Sequence, residues 1–163
     1  MRDAVQAPVT VHRDGYTIST DPARLDLDAI HAFLSTDSHW ALGIPKEVVA
    51  KSIAHSLPLG VYAPDGSQVG FARVISDYAT FAYLCDVYVL DAHRGRGLGA
   101  WLTETVLALP DLQRIRRWTL ATKTAHGLYE KFGFRVPQWS NAYMDIVRPD
   151  IYLSAGTPGA AVE

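Results

Sequence analysis

Apolar positions recur with two different periods along this chain. Leu27, Ile30, Phe33 and Leu34 follow a helical spacing, and so do Leu98, Trp101, Leu102, Thr105, Val106 and Leu109. Val48, Val49 and Ile53 give a second helix beginning near Pro45, which Pro58 should end. Residues 125–132 give a last helix, closed by Gly133. Between these stripes lie short β-rich runs: residues 16–19, Leu59 to Ala63, Gln68 to Ile75, a long one from Thr80 to Leu90, and Trp118 to Thr122. Phe134 to Val136 and Tyr143 to Val147 read as late strands. In a regular strand Phe81, Tyr83, Cys85, Val87 and Val89 share one face, with Leu84, Asp86 and Tyr88 on the other. The order β-α-α-β-β-β-α-β-α-β-β predicts an α/β fold (α+β in its segregation), a mixed and mostly antiparallel sheet flanked by about four helices.

The 163 residues suffice for one domain spanning 1–163, with loose ends at about 1–9 and 154–163. Net charge is −2 and no basic block exceeds a few residues, so no nucleic-acid partner is expected. Arg114, Arg116 and Arg117 read as a solvated connection before Trp118. No apolar run approaches the ~18 residues of a membrane span, and no secretory leader is visible. The single cysteine, Cys85, excludes an internal disulfide and suits a reducing cytoplasm, the expected location. Six histidines form no His-x-x-x-His pair, so no metal site is expected.

Chemistry concentrates where the long β run ends. Arg94-Gly95-Arg96-Gly97-Leu98-Gly99-Ala100 joins that run to the next helix. Strand, glycine loop and helix N-terminus make an anion cradle, because the first helical amides lack intrahelical acceptors and the macrodipole is positive there. The glycines let backbone approach a ligand, and Arg94 and Arg96 add charge. The run lacks the Gly-Lys-Ser/Thr of a nucleoside-triphosphate loop, and its glycine spacing differs from Gly-x-Gly-x-x-Gly.

Arg94 to Gly99 instead resembles the Arg/Gln-x-x-Gly-x-Gly/Ala loop of GCN5-related N-acetyltransferases. Ala125-His-Gly-Leu-Tyr-Glu-Lys-Phe-Gly-Phe134 resembles a second segment of the same family, in the right order. The resemblance covers about Leu59 to Val136. It implies an acetyl-CoA-dependent acyltransferase acting on a primary amine of a small molecule or protein, by direct attack in a ternary complex. The loop would wrap the pyrophosphate of acetyl-CoA. Backbone groups of Val87 and Val89 would hold the pantetheine arm, with the Val87 amide at the developing oxyanion. The strands carrying Val87 and Thr119 would splay apart to admit that arm. Tyr129 would protonate the leaving thiolate. Thr122 stands where relatives often have an asparagine contacting the cofactor.

Asp86, an acid inside an apolar strand, is costly unless paired or useful, and it is a candidate for general base or amine anchor, with water as the alternative. Polyamine acetyltransferases resemble the chain here, with Glu-Asp in place of Cys85-Asp86. Cys85 reads as a core residue. His39 and Trp40 lie in a loop that commonly lines the acceptor pocket in the family, and Tyr83 stands where some members carry an acid. A homodimer is compatible with the resemblance. Two alternatives stay open: another acyl-CoA as donor, or a non-catalytic acyl-CoA sensor.

Overall fold

Six strands form one sheet in chain order in the computed structural model, which describes residues 7–153. They are β1 (Thr10–Arg13), β2 (Tyr16–Ser19), β3 (Leu57–Tyr62), β4 (Gln68–Ser76), β5 (Phe81–Val89) and β6 (Arg117–Leu120). Neighbours pair antiparallel from β1 to β5, whereas β5 and β6 are parallel. A parallel pair needs a crossover, and α3 (Leu98–Ala108) provides it. The remaining helices are α1 (Leu27–Ala32), α2 (Lys46–Ala54) and α4 (His126–Glu130). No helix among the described residues is long and apolar enough to cross a membrane.

The described residues group into two compact units. The first, residues 7–26 and 52–135, contains the sheet, α3 and α4. Its core joins Ile18, Leu59, Val61, Val69, Ala72, Val74, Ala82 and Leu84 of the sheet to Leu98, Trp101, Leu102 and Val106 of α3 and Tyr129 of α4. The i, i+3, i+4 spacing of the α3 residues puts all four on the buried side. Each such side chain contributes about 1.5–3 kcal/mol before chain entropy is charged against it.

The second unit, residues 27–51 and 136–153, contains α1 and most of α2. The helical stripe at Phe33 and Leu34 does not continue α1. It becomes a wider π-type turn, Phe33–Asp37, closed by the Ser38 amide donating to Phe33 O at 3.0 Å. Ser38 is buried, and its hydroxyl donates to Leu34 O while accepting from the Ala41 amide. Ile30, Leu34, Ala41, Ile44 and Val49 are the buried apolar residues here.

Several expectations need correction. β1 was absent from the sequence reading, because its four residues are mostly polar and exposed. Val9, assigned to a loose end, is fastened on both sides: its amide donates to Thr20 Oγ1, and its carbonyl accepts from the Thr20 amide. Ala7 and Pro8 carry no regular structure, and residues 1–6 and 154–163 of the expected loose ends lie outside the described residues. Pro58 falls within β3 rather than before it. It is tolerated because β2 reaches only to Gly60, so β3 has no β2 neighbour at Pro58. The two late strands are not formed: 134–136 and 143–147 have no strand pairing, and Met144 and Ile146 are more than nine-tenths exposed.

Candidate functional site

Two irregularities in β5 shape the site. The first is where its neighbour β6 ends. β5 pairs with β6 from Phe81↔Arg117 to Leu84↔Leu120, and the ladder then stops although β5 runs on to Val89. β6 itself ends at Leu120, so the edge of Cys85–Val89 beyond it has no strand partner, and Thr119 stays paired with Tyr83 rather than splayed from β5. The second is a bulge. Arg73 pairs with Cys85 but Phe71 pairs with Tyr88, so Asp86 and Val87 together face the single residue Ala72. Asp86 takes φ +52°, the left-handed region that a non-glycine residue rarely adopts.

The extra residue overturns the regular alternation expected from sequence. Ala82 and Leu84 belong to the core shared with α3 and α4, and Val87 and Val89, three and five residues beyond Leu84, pack against the same core. Tyr88 turns the other way, its ring 6.3 Å from that of Phe71. Leu90 donates to Val69 O at 2.8 Å, which by ladder alternation leaves the backbone groups of Val89 facing away from β4.

Asp86 is not a lone carboxylate. Arg73 Nε and Nη2 both reach its Oδ2 at 2.9 Å, and the two side chains are only 14% and 12% exposed. Arg73 is the residue that sequence reasoning missed. The available signal was one cation and one acid, each inside an otherwise apolar strand, in neighbouring strands of a hairpin. Cys85 donates its thiol to Arg73 O, and burial pushes its pKa up to about 11. Tyr83, on the same strand, is partly buried, which raises its phenol pKa.

At the end of β5 the glycine loop leads into α3. Gly95 and Gly97 both have φ +76°, and a Cβ on either would meet nothing within 4 Å. Conformation, not crowding, is what demands glycine there. Gly97 is the N-cap of α3 and supplies no side-chain acceptor, and no acid lies in the first turn. Leu98 anchors that turn in the core, while Gly99 and Ala100 are partly buried. An eleven-residue helix therefore presents uncapped amides and the positive end of its dipole beside exposed arginines.

Arg94 is partly committed: Nε donates to Val89 O at 3.0 Å and Nη1 pairs with Asp91 at 2.8 Å. Arg96 has no ion pair among the described residues, so it has the less compensated charge. Just before the loop, His93 Nδ1 lies 2.9 Å from the buried Tyr16 hydroxyl, a tie to β2 that the sequence did not reveal.

Tyr129 is buried in the core against which Val87 and Val89 pack, its ring edge-on to Phe134 at 5.9 Å. Burial raises its phenol pKa above the ordinary value. Among the described residues its hydroxyl has no hydrogen-bond partner. Thr122 Oγ1 accepts from the Ala125 amide at 3.0 Å, fixing the start of α4. Tyr83, Asp86, Val87, Val89, Arg94 to Ala100, Thr122 and Tyr129 all belong to the first unit, with Val87, Val89, Leu98 and Tyr129 meeting in its core and Asp86 bonded to Arg73. His39 and Trp40 belong to the second unit, where their rings meet edge-on at 5.1 Å and both are exposed.

A family model of the acetyltransferase (GNAT) domain matches residues 58–136. Among curated proteins, an inferred acetyltransferase of Gibberella zeae is 33% identical over 153 residues, covering 80% of this chain and 85% of that protein. The crystal structure of an inferred GNAT-family acetyltransferase from Xanthomonas campestris pv. campestris is 51% identical, with a TM-score of 0.81, over 84% of this chain and 96% of that one. A GNAT-family acetyltransferase from Elizabethkingia anophelis, solved with acetyl-CoA bound, shares the fold at 16% identity and a TM-score of 0.57, over 83% and 90% of the two chains.

Proposed function

The chain belongs to the GNAT family of acetyltransferases, and from that premise we propose that it moves acetyl from acetyl-CoA to a primary amine by direct attack in a ternary complex. The observation that carries this reading is the continuity of one surface. The free edge of β5 runs into two left-handed glycines and then into the uncapped N-terminus of α3. A diphosphate suits the glycine loop and first turn, where amides, dipole and Arg96 all favour negative charge. Arg94, shared with Asp91, holds the loop to β5 and contributes a weaker charge. The pantetheine amides would extend the sheet along Val87 and Val89.

In the transfer step the amine nitrogen bonds to the thioester carbon, and the carbonyl oxygen gains negative charge. The Val87 amide is the donor for that oxygen, a kind of contribution worth about 3–4 kcal/mol when preorganised. The carbon–sulfur bond then breaks and the thiolate leaves. Tyr129, a neutral phenol, gives it a proton and is reprotonated from solvent. The ammonium acceptor loses one proton to water before attack, since Asp86 is already bonded to Arg73, and the attacking nitrogen loses a second to water as the amide forms.

The test is a panel of primary amines with acetyl-CoA, following release of free thiol and acetylated amine. Turnover with at least one amine supports the reading. Tight acetyl-CoA binding without turnover on any amine would make the protein an acyl-CoA sensor, and turnover only with a longer acyl-CoA would change the donor.

A further inference from the structure

We infer that Arg73 is a positioning residue for acetyl transfer: by holding Asp86 in a left-handed conformation it fixes the β5 bulge, and the bulge aims the Val87 amide. This inference rests on the proposed function, and it replaces Asp86 as a general base with Asp86 as one half of a backbone clamp.

Four observations meet at this point. Asp86 is the one residue of β5 with positive φ, and side chains larger than hydrogen resist that conformation. It is the extra residue of a two-against-one bulge, so its conformation decides whether β5 turns there. Both guanidinium nitrogens converge on one carboxylate oxygen in a largely buried setting, where a charge-assisted contact is strong and its loss is costly. Finally, Arg73 and Cys85 are directly opposed across the ladder, and the Cys85 thiol donates to Arg73 O. The cation therefore sits immediately beside the bulge it restrains.

The face of the sheet matters too. Ala72 and Val74, flanking Arg73, point into the core that contains Tyr129, so Arg73 and its partner lie on the opposite face. The clamp acts on the acyl site through the backbone, without touching the phenol.

Glycine separates clamp from base. Glycine adopts positive φ freely, so Asp86→Gly keeps the bulge without needing Arg73, whereas Asp86→Ala keeps neither the carboxylate nor the conformational freedom. Backbone NMR and hydrogen exchange of the amides from Cys85 to Val89 read the bulge without turnover, alongside kcat and KM for acetyl-CoA. Arg73→Met and Asp86→Ala should shift those amides, speed their exchange, and lower kcat about tenfold, with KM for acetyl-CoA within twofold. Arg73→Met leaves a buried carboxylate unpaired and could prevent folding. The double variant Arg73→Met/Asp86→Gly removes that charge, and it should restore both the amide pattern and most of kcat.

Unchanged amides in Asp86→Ala would overturn the clamp. So would a loss of turnover in Asp86→Gly with its amides in place, which would return the carboxylate to the chemistry. If the wild-type protein transfers acetyl to no amine, the proposed function fails, and the amide readout alone then decides the clamp.

Discussion

Substituting alanine for Gly97 isolates the conformational part of cofactor binding. Gly97 has φ +76°, and a Cβ there would meet nothing within 4 Å. The variant therefore has no clash to relieve. Its cost is the left-handed backbone alone, about 1 kcal/mol for an alanine. In a chain of this length that should lower Tm by about 2–4 °C. Alanine also favours leaving the left-handed region in the free protein, and binding must restore it. The part of that ~1 kcal/mol that the free protein escapes by relaxing appears as lost acetyl-CoA affinity, up to about fivefold, and the fall in Tm shrinks to match.

Gly66 is the matched control, with φ +87° and equally open space, in the turn between β3 and β4. Gly66→Ala should lose the same stability and no affinity. Calorimetric titration and thermal melts of both variants decide the matter. A variant that melts like Gly66→Ala has its strain in the free protein. One that keeps the wild-type Tm must bind about fivefold more weakly. Wild-type Tm with wild-type affinity would refute the cradle, because the left-handed conformation would then be needed by neither fold nor ligand.

Tyr129→Phe should reduce kcat about a hundredfold while leaving acetyl-CoA affinity within twofold; equal turnover would remove the phenol from the mechanism. Cys85, with its pKa raised to about 11, should resist iodoacetamide in the folded protein at pH 8, and rapid labelling there would contradict its burial. The same shift makes stability fall as pH rises from about 9 to about 11, because over that range the unfolded thiol ionises and the folded one does not. Asp77 behaves in the opposite sense. Its carboxylate accepts from the amides of Ala79, Thr80 and Phe81 and from the Thr80 hydroxyl, and these bonds lower its pKa. Its contribution is complete above the ordinary carboxylate range and is lost as pH falls through the lowered value. The gap in urea midpoint between wild type and Asp77→Ala should thus narrow from pH 7 to pH 3; a gap widening toward acid would refute the assignment.

The sheet was legible wherever strands are long and apolar, because periodicity reports burial. Gln68 to Ile75 and Thr80 to Leu90 were placed within a residue of their observed ends. The failures have separate causes. Tyr143 to Val147 has a strand's composition, but a strand is defined by its neighbour, and no sequence window contains that neighbour. β1 carries no apolar pattern because it is a mostly exposed edge. The glycine loop was readable since positive φ and glycine go together at Gly95 and Gly97. The bulge was unreadable for the same reason: its positive φ falls on Asp86, so the usual marker is missing. Arg73 followed it into obscurity, being meaningful only once the bulge is known.

The packing of β5 marks the bulge once its core contacts are known, and it leads to a testable oddity. The residues of β5 that meet the core are Ala82, Leu84, Val87 and Val89, spaced by two, three and two. A regular strand cannot put all four on one face, because its side chains alternate strictly. Deleting Asp86 makes the spacing two throughout, and it lets Ala72 pair one-to-one with Val87 between the existing Arg73↔Cys85 and Phe71↔Tyr88 pairs. The core is preserved and the left-handed residue is gone, which should recover about 1 kcal/mol. Coupled with Arg73→Met, the deletion also removes a largely buried ion pair whose apolar replacement is often neutral or stabilising. A deletion in the middle of a central strand would ordinarily be ruinous, yet this one should melt within a few degrees of wild type. Acetyl transfer should nonetheless be lost, because the Val87 amide would be carried in a regular strand and no longer turned by the bulge. An unfolded deletion protein would refute the register argument, and a folded one with full turnover would show that transfer needs the open edge of β5 but not its bulge.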